Sequence, residues 1–281
     1  MKRVSLVLFF LSAIMAINCA HKSGHKNQNA YNPRECVSED SLDVNLSSRS
    51  FSDAGDILSC IVKDDKNTIL LERDGYVVLY STDTHCPVYV GWMLNSDRAD
   101  GDVERCKTFF PDQDIAETDR VTNADYKRSG WSKGHMCPAA DNKDSELRMK
   151  ESCLLTNICP QDMGLNNGRW NDLENRCRNI ARKGNRIYAV CGPAFRKLSN
   201  GCIGENVKIA VPDSFFKVMY IVNEGSGEQS MEAYIMPNEH VTDKLPEFYV
   251  SVDDVESMTG LDFFYVLPDD VEELLEKNES Y

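Results

Sequence analysis
The stretch from Ser129 to Arg182 constrains this chain more than any other. It runs Ser129-Gly-Trp-Ser-Lys-Gly134-His135-Met-Cys-Pro-Ala-Ala-Asp141, then Leu155-Thr-Asn157-Ile-Cys-Pro-Gln161, then Leu165-Asn166-Asn167-Gly-Arg169-Trp170-Asn-Asp-Leu173-Glu174. A histidine, several carboxamides and a glutamate stand in these runs, beside glycine, proline or the start of a helical pattern. Backbones turn at such places, and side chains carried on turns can converge on a cleft. Gly134 ahead of His135 would let the chain approach a ligand closely. Trp170, Leu173, Cys177 and Ile180 recur at helical spacing. If Asn166 and Glu174 shared that helix, eight residues apart, they would differ by about 80° and about 12 Å along the axis.

These residues resemble the DNA/RNA non-specific endonuclease family. Its Asp-Arg-Gly-His motif corresponds to Ser132-Lys133-Gly134-His135, so the first two positions depart from it. The family also has an asparagine, a second nine residues on, and a glutamate eight residues further; Asn157, Asn166 and Glu174 keep both spacings. The likeness runs over roughly residues 69–276. It implies an α+β, ββα-metal fold with a mainly antiparallel central sheet flanked by helices. It also implies hydrolysis of phosphodiester bonds in DNA and RNA with Mg2+ (or Mn2+). In the roles so carried over, His135 is the general base and Asn166 the direct metal ligand. Glu174 hydrogen-bonds the metal's waters, and Asn157 orients His135 or the site around it. Arg105, which precedes Phe109-Phe110-Pro111-Asp112, falls near the family's active-site arginine; the alternative is a surface arginine. Lys133 and Arg169 are the candidate substrate contacts: lysine brings charge to a phosphate, whereas arginine brings a two-pronged fork. A homodimer is compatible with the resemblance, and the sequence leaves the oligomeric state open.

A histidine titrating near pH ~6.5 can take a proton from water at neutral pH. Magnesium favours oxygen ligands and keeps several waters, so one carboxamide oxygen can suffice as a protein ligand. No pattern for reading base edges is present, which fits contacts to phosphate and sugar. The net charge of -14 argues against tight coating of nucleic acid. It is compatible with a local basic cleft on an acidic exterior. The competing reading is a catalytically impaired nuclease fold that binds nucleic acid or serves a structural role, and Ser132-Lys133 is its best argument.

Lys2-Arg3 followed by the apolar run Val4 to Ile17 reads as an export signal over residues 1–19. Ala16-Ile17-Asn18-Cys19 could be a lipoprotein cleavage box, with lipidated Cys19 a membrane tether; plain secretion is the alternative. The mature protein would then be secreted, periplasmic or lipid-anchored at the cell surface. Losing Lys2 and Arg3 moves the charge to about -16. Residues 20–60 read as a polar linker, in which His21 and His25 are solvated rather than metal-bound. Ten cysteines remain after Cys19, an even number that suggests disulfides in an exported chain. Cys137, Cys153, Cys159 and Cys177 are expected to staple the site's scaffold.

The domain itself is expected over residues 61–276, with a tail at 277–281. Ile69 to Leu71, Asp74-Gly75 and Tyr76 to Tyr80 form a hairpin pattern. Val88 to Leu94, Arg186 to Cys191, Phe215 to Val222 and Met231 to Met236 read as further strands. Ser251 with Asp254 three residues on predicts a capped helix. An acidic helix is expected between Pro268 and Glu279.

Overall fold
A computed structural model describes residues 57–62, 66–195 and 200–276. The export signal, Cys19, the pair His21 and His25, most of the linker and the tail lie outside the described residues.

Seven strands form one antiparallel sheet: β1 (Thr68–Glu72), β2 (Val77–Ser81), β3 (Cys86–Leu94), β6 (Asn185–Ala194), β7 (Ser214–Asn223), β8 (Gln229–Pro237) and β9 (Tyr249–Val250), in the order β9-β8-β7-β6-β3-β2-β1. A separate antiparallel pair, β4 (Ser132–His135) and β5 (Ile158–Gln161), carries the site. Five helices matter here: α1 (Glu146–Ser152), α2 (Met163–Asn167), α3 (Arg169–Ala181), α4 (Val252–Thr259) and α5 (Asp269–Glu276). The mainly antiparallel α+β sheet expected from the sequence is the observed architecture.

The sheet is covered on both faces, and strand alternation shows how. On β7, Phe215, Met219 and Ile221 join one core cluster with Trp170, Leu173 and Cys177 of α3. Phe216, Val218 and Tyr220 join the other, with Val252 and Val255 of α4 and Leu275 of α5. A period of two separates the sets, as a pleated strand requires. Helix α4 starts as its sequence predicts: Ser251 Oγ accepts from the Asp254 N–H at 3.1 Å, and the Asp254 carboxylate accepts from the Ser251 N–H at 3.3 Å. Such a box satisfies backbone donors that the first turn leaves open.

Two boundaries differ from the sequence reading. Residues 57–60 belong to the fold rather than to the linker: Ser59 and Cys60 are buried, and Ile61–Val62 pairs with Leu261–Asp262. The helix expected through Asn166 and Glu174 is two helices broken at Gly168. A Cβ at Gly168 would lie 2.5 Å from the Gly164 carbonyl oxygen, so the break needs a glycine. Among the described residues no helix is long and apolar enough to cross a membrane.

Candidate active site
The pair β4–β5 followed by α2 and α3 makes a β-β-α unit. His135, at the end of β4, faces Ile158 in the register. Gly134 does not open room for a ligand, as the sequence suggested. Its absent Cβ makes room for the Gln161 side chain, whose amide atoms are buried without a hydrogen-bond partner. A cleft of about 270 Å³ lies beside this unit, lined by Arg105, His135, Asn166, Asn167, Asn171, Glu174 and Arg178 with Pro138, Ala139 and Ala140. Four residues singled out in the sequence, His135, Arg105, Asn166 and Glu174, therefore meet in one place although 69 positions separate the outermost two.

Helix α3 explains the last of these. Its apolar stripe of Trp170, Leu173 and Cys177 is buried against the sheet, with the Trp170 and Phe215 rings 5.6 Å apart. Asn171, Glu174 and Arg178 occupy the neighbouring stripe and line the cleft. Arg178 sits four residues after Glu174, with its Nη1 4.0 Å from the Glu174 carboxylate, and also donates to buried Asp141 at 2.7 Å. Asp141 in turn accepts from the Trp92 indole at 3.1 Å. Burial lifts the Glu174 carboxyl to about 7, against the lowering pull of Lys217, Arg178 and Arg105. Fully buried Lys217 points from β7 between Trp92 and Trp170, 5.2 and 4.7 Å from their ring centroids.

His135 is buried beside the Phe109 ring, with centroids 5.2 Å apart, and its Nε2 lies 3.9 Å from Cys153 Sγ. Burial first, and then the Arg105 charge, push its imidazole down to about 3. The ring is thus neutral across the physiological range, able to accept a proton. Arg105 has no hydrogen bond or ion pair among the described residues, leaving its fork free for the cleft. A Cys106–Cys153 disulfide fastens its segment, with Phe110 N donating to the Cys153 carbonyl at 3.0 Å.

Other expected site residues lie elsewhere. Asn157 is fully buried and does not line the cleft; its carboxamide accepts from Cys137 N at 2.9 Å and donates to the Cys137 and Ser152 carbonyls at 2.9 and 2.8 Å. It pins the turn leaving His135, so its place is behind that histidine rather than in the cleft lining. Arg169 is not in the cleft lining. It pairs with Asp172 at 2.7 Å and donates to the Asp243 and Thr242 carbonyls at 2.6 and 3.0 Å. Those bonds occupy its fork in tying α3 to a distant loop. Lys133 shares the Phe109 ring with His135 and lies between Phe109 and Tyr126, 5.3 Å from each centroid. Its charge is near the site but not in the lining.

The cysteines also depart from expectation. Cys106 and Cys153 are bridged, and Cys202 is disulfide-bonded. Cys60, Cys86, Cys137, Cys159, Cys177 and Cys191 are free and buried, so three of the four expected staples are thiols. They behave as small apolar side chains in the core. Burial pushes the Cys137 and Cys177 thiols up to about 12.

Sequence reasoning missed Asn171, Arg178, Asp141 and Lys217. Arg178 carried a usable signal, because a glutamate four residues before an arginine on a helix predicts a pair. Lys217 sits in an apolar strand pattern that conceals it.

The donors around Asn166 are the carboxamide oxygens of Asn166, Asn167 and Asn171 and the Glu174 carboxylate, with no thiol in the lining. That donor set fits a hard divalent cation that keeps several waters.

The family profile described as DNA/RNA non-specific endonuclease matches residues 54–270. The mitochondrial nuclease EXOG of Danio rerio is 37% identical over 206 residues, covering 68% of this chain and 60% of that protein. Human mitochondrial endonuclease G is 34% identical over 206 residues, covering 69% of each. A solved chain from the EndoG/EndoGI complex, described as showing the mechanism of EndoG inhibition, superposes with a TM-score of 0.69 at 28% identity; the match covers 79% of this chain and 95% of that one. With the profile spanning most of the sequence and the β-β-α unit in place, this chain belongs to the DNA/RNA non-specific endonuclease family.

Proposed function
We propose that this protein is an exported, magnesium-dependent, sequence-nonspecific endonuclease that hydrolyses phosphodiester bonds in DNA and RNA. The observation that carries the proposal is the convergence of His135, Arg105, Asn166 and Glu174 on one cleft. His135 is the general base. Its depressed basicity keeps it unprotonated before substrate arrives, and the negative phosphate then raises its proton affinity as it takes a proton from the attacking water. Arg105, which has no hydrogen bond or ion pair among the described residues, places its guanidinium where charge grows on the phosphate, which stabilises the transition state more than the bound substrate.

Asn166 would hold the divalent cation through its carboxamide oxygen, with Glu174 accepting hydrogen bonds from the bound waters. When bound, the cation supplies positive charge to the phosphate and the leaving oxygen. Asn157 and the Cys106–Cys153 disulfide hold His135 and Arg105 in register. Lys133 adds charge attraction only. Export is supported by the basic and apolar pattern of residues 2–17 and by the disulfide, which persists in oxidising compartments.

The test is cleavage of plasmid, single-stranded DNA and RNA by the mature protein with magnesium, with and without EDTA. All three substrates should be cut, and EDTA should stop cutting. Nucleic-acid binding without cleavage would instead favour the impaired-nuclease reading.

A further inference from the structure
Ser132, where the family motif has aspartate, makes two contacts. Its Oγ lies 2.6 Å from the Gln161 backbone carbonyl oxygen and 3.2 Å from the carboxamide nitrogen of Asn166. A serine hydroxyl has a single proton to give. The Gln161 carbonyl can only accept, so that proton goes to it. Toward Asn166 the Ser132 oxygen is therefore an acceptor, and the near atom of the carboxamide has to be the NH2 group. The opposite orientation would set two acceptors against each other. With the nitrogen bonded to Ser132, Asn166 Oδ1 is left for another partner, and the residue lines the cleft.

We propose that Ser132 is a positioning residue: it fixes the flip of the Asn166 carboxamide so that the oxygen is offered to a divalent cation. This rests on the reading of Asn166 as the metal ligand. A serine suits the position because it donates to one neighbour while accepting from the other; an ionised aspartate there would only accept, and would set its oxygen against the Gln161 carbonyl oxygen, another acceptor. Without the hydroxyl, the two orientations of the carboxamide differ little, and part of the population would present nitrogen to the metal.

The experiment is Mn2+ binding to the substrate-free protein, followed by electron paramagnetic resonance for wild type, Ser132→Ala, Ser132→Thr and Asn166→Ala, with circular dichroism to confirm the fold. Wild type should bind saturably and Asn166→Ala should bind poorly. Ser132→Ala should lose about 10-fold in affinity, the lower end expected when a group orienting a ligand is removed. Ser132→Thr keeps the hydroxyl and should bind within about twofold of wild type. If Asn166→Ala weakens binding but Ser132→Ala matches wild type, the positioning role is overturned while the metal reading stands. If wild type shows no saturable binding, or Asn166→Ala binds as wild type does, the metal reading itself fails and the inference falls with it.

Discussion

The Cys106–Cys153 bridge offers the most quantitative test of how the site is held. It joins positions 47 residues apart and lies next to both catalytic candidates: Cys106 follows Arg105, and Cys153 Sγ is 3.9 Å from His135 Nε2. Replacing the pair as Cys106→Ser with Cys153→Ala frees that loop in the unfolded chain. The chain-entropy relation for a loop of this length gives about 4 kcal/mol at 25 °C. For a domain of this size that corresponds to a fall in Tm of about 8–16 °C. The Phe110 N to Cys153 carbonyl bond remains, so the segment should loosen without detaching. Displacing Arg105 by an ångström or so is enough to cost about 10- to 100-fold in rate. Thermal unfolding and steady-state cleavage of one DNA substrate, at a temperature where both proteins are folded, give the two readouts. A Tm within 2 °C of wild type would refute the loop argument. An unchanged kcat would show that the bridge is not what holds Arg105.

Asn166→Ala should lower activity and magnesium affinity together, whereas Glu174→Gln should cost roughly 10- to 100-fold in activity through the water shell; magnesium titrations of cleavage rate separate the two. Arg105→Ala should lower kcat more than Lys133→Ala does, and Arg169→Ala should leave cleavage near wild type because its donors are bound to Asp172, Thr242 and Asp243; assays at several salt concentrations rank the three, and a silent Arg105→Ala would move the phosphate clamp elsewhere. In an NMR titration of the metal-free protein, His135 should remain neutral until far below pH 6.5 and protonate at about 3. The unfolded chain takes that proton first, so the stability linked to His135 is full above pH 6.5 and is lost as pH falls toward 3; a midpoint near 6.5 would mean that the ring is not buried.

The sheet was legible because its strands carry both a hydrophobic pattern and turn residues at their ends, as with Asp74-Gly75 before β2 and the Gly-Ser-Gly at 225–227 between β7 and β8. The Ser251–Asp254 box was legible because both partners are local. In the site, His135, Asn166 and Glu174 were legible through the family resemblance, whose nine- and eight-residue spacings fall within one β-β-α unit that brings the three to one cleft. Arg169 has one local partner, Asp172 three residues on, but the two carbonyls that take up the rest of its fork lie 73 and 74 residues away, beyond any local pattern. Asn157 was visible as a site residue, but its three backbone contacts exist only once α1 and the turn after β4 are packed together. The cysteine count was uninformative for a related reason: parity cannot tell a bridge from a buried thiol, and six of these side chains fill core positions. Lys217 shows the same limit, since its place between two tryptophans depends on which face of β7 meets α3.

The central claim is that His135 performs the proton transfer in this cleft. Single-turnover cleavage of a plasmid by His135→Ala, compared with wild type at equal bound substrate and saturating magnesium, tests it most directly. Loss of a general base is expected to slow the chemical step by about 10²- to 10⁴-fold while plasmid binding stays close to wild type. A folded His135→Ala protein that cuts at the wild-type rate would contradict the assignment.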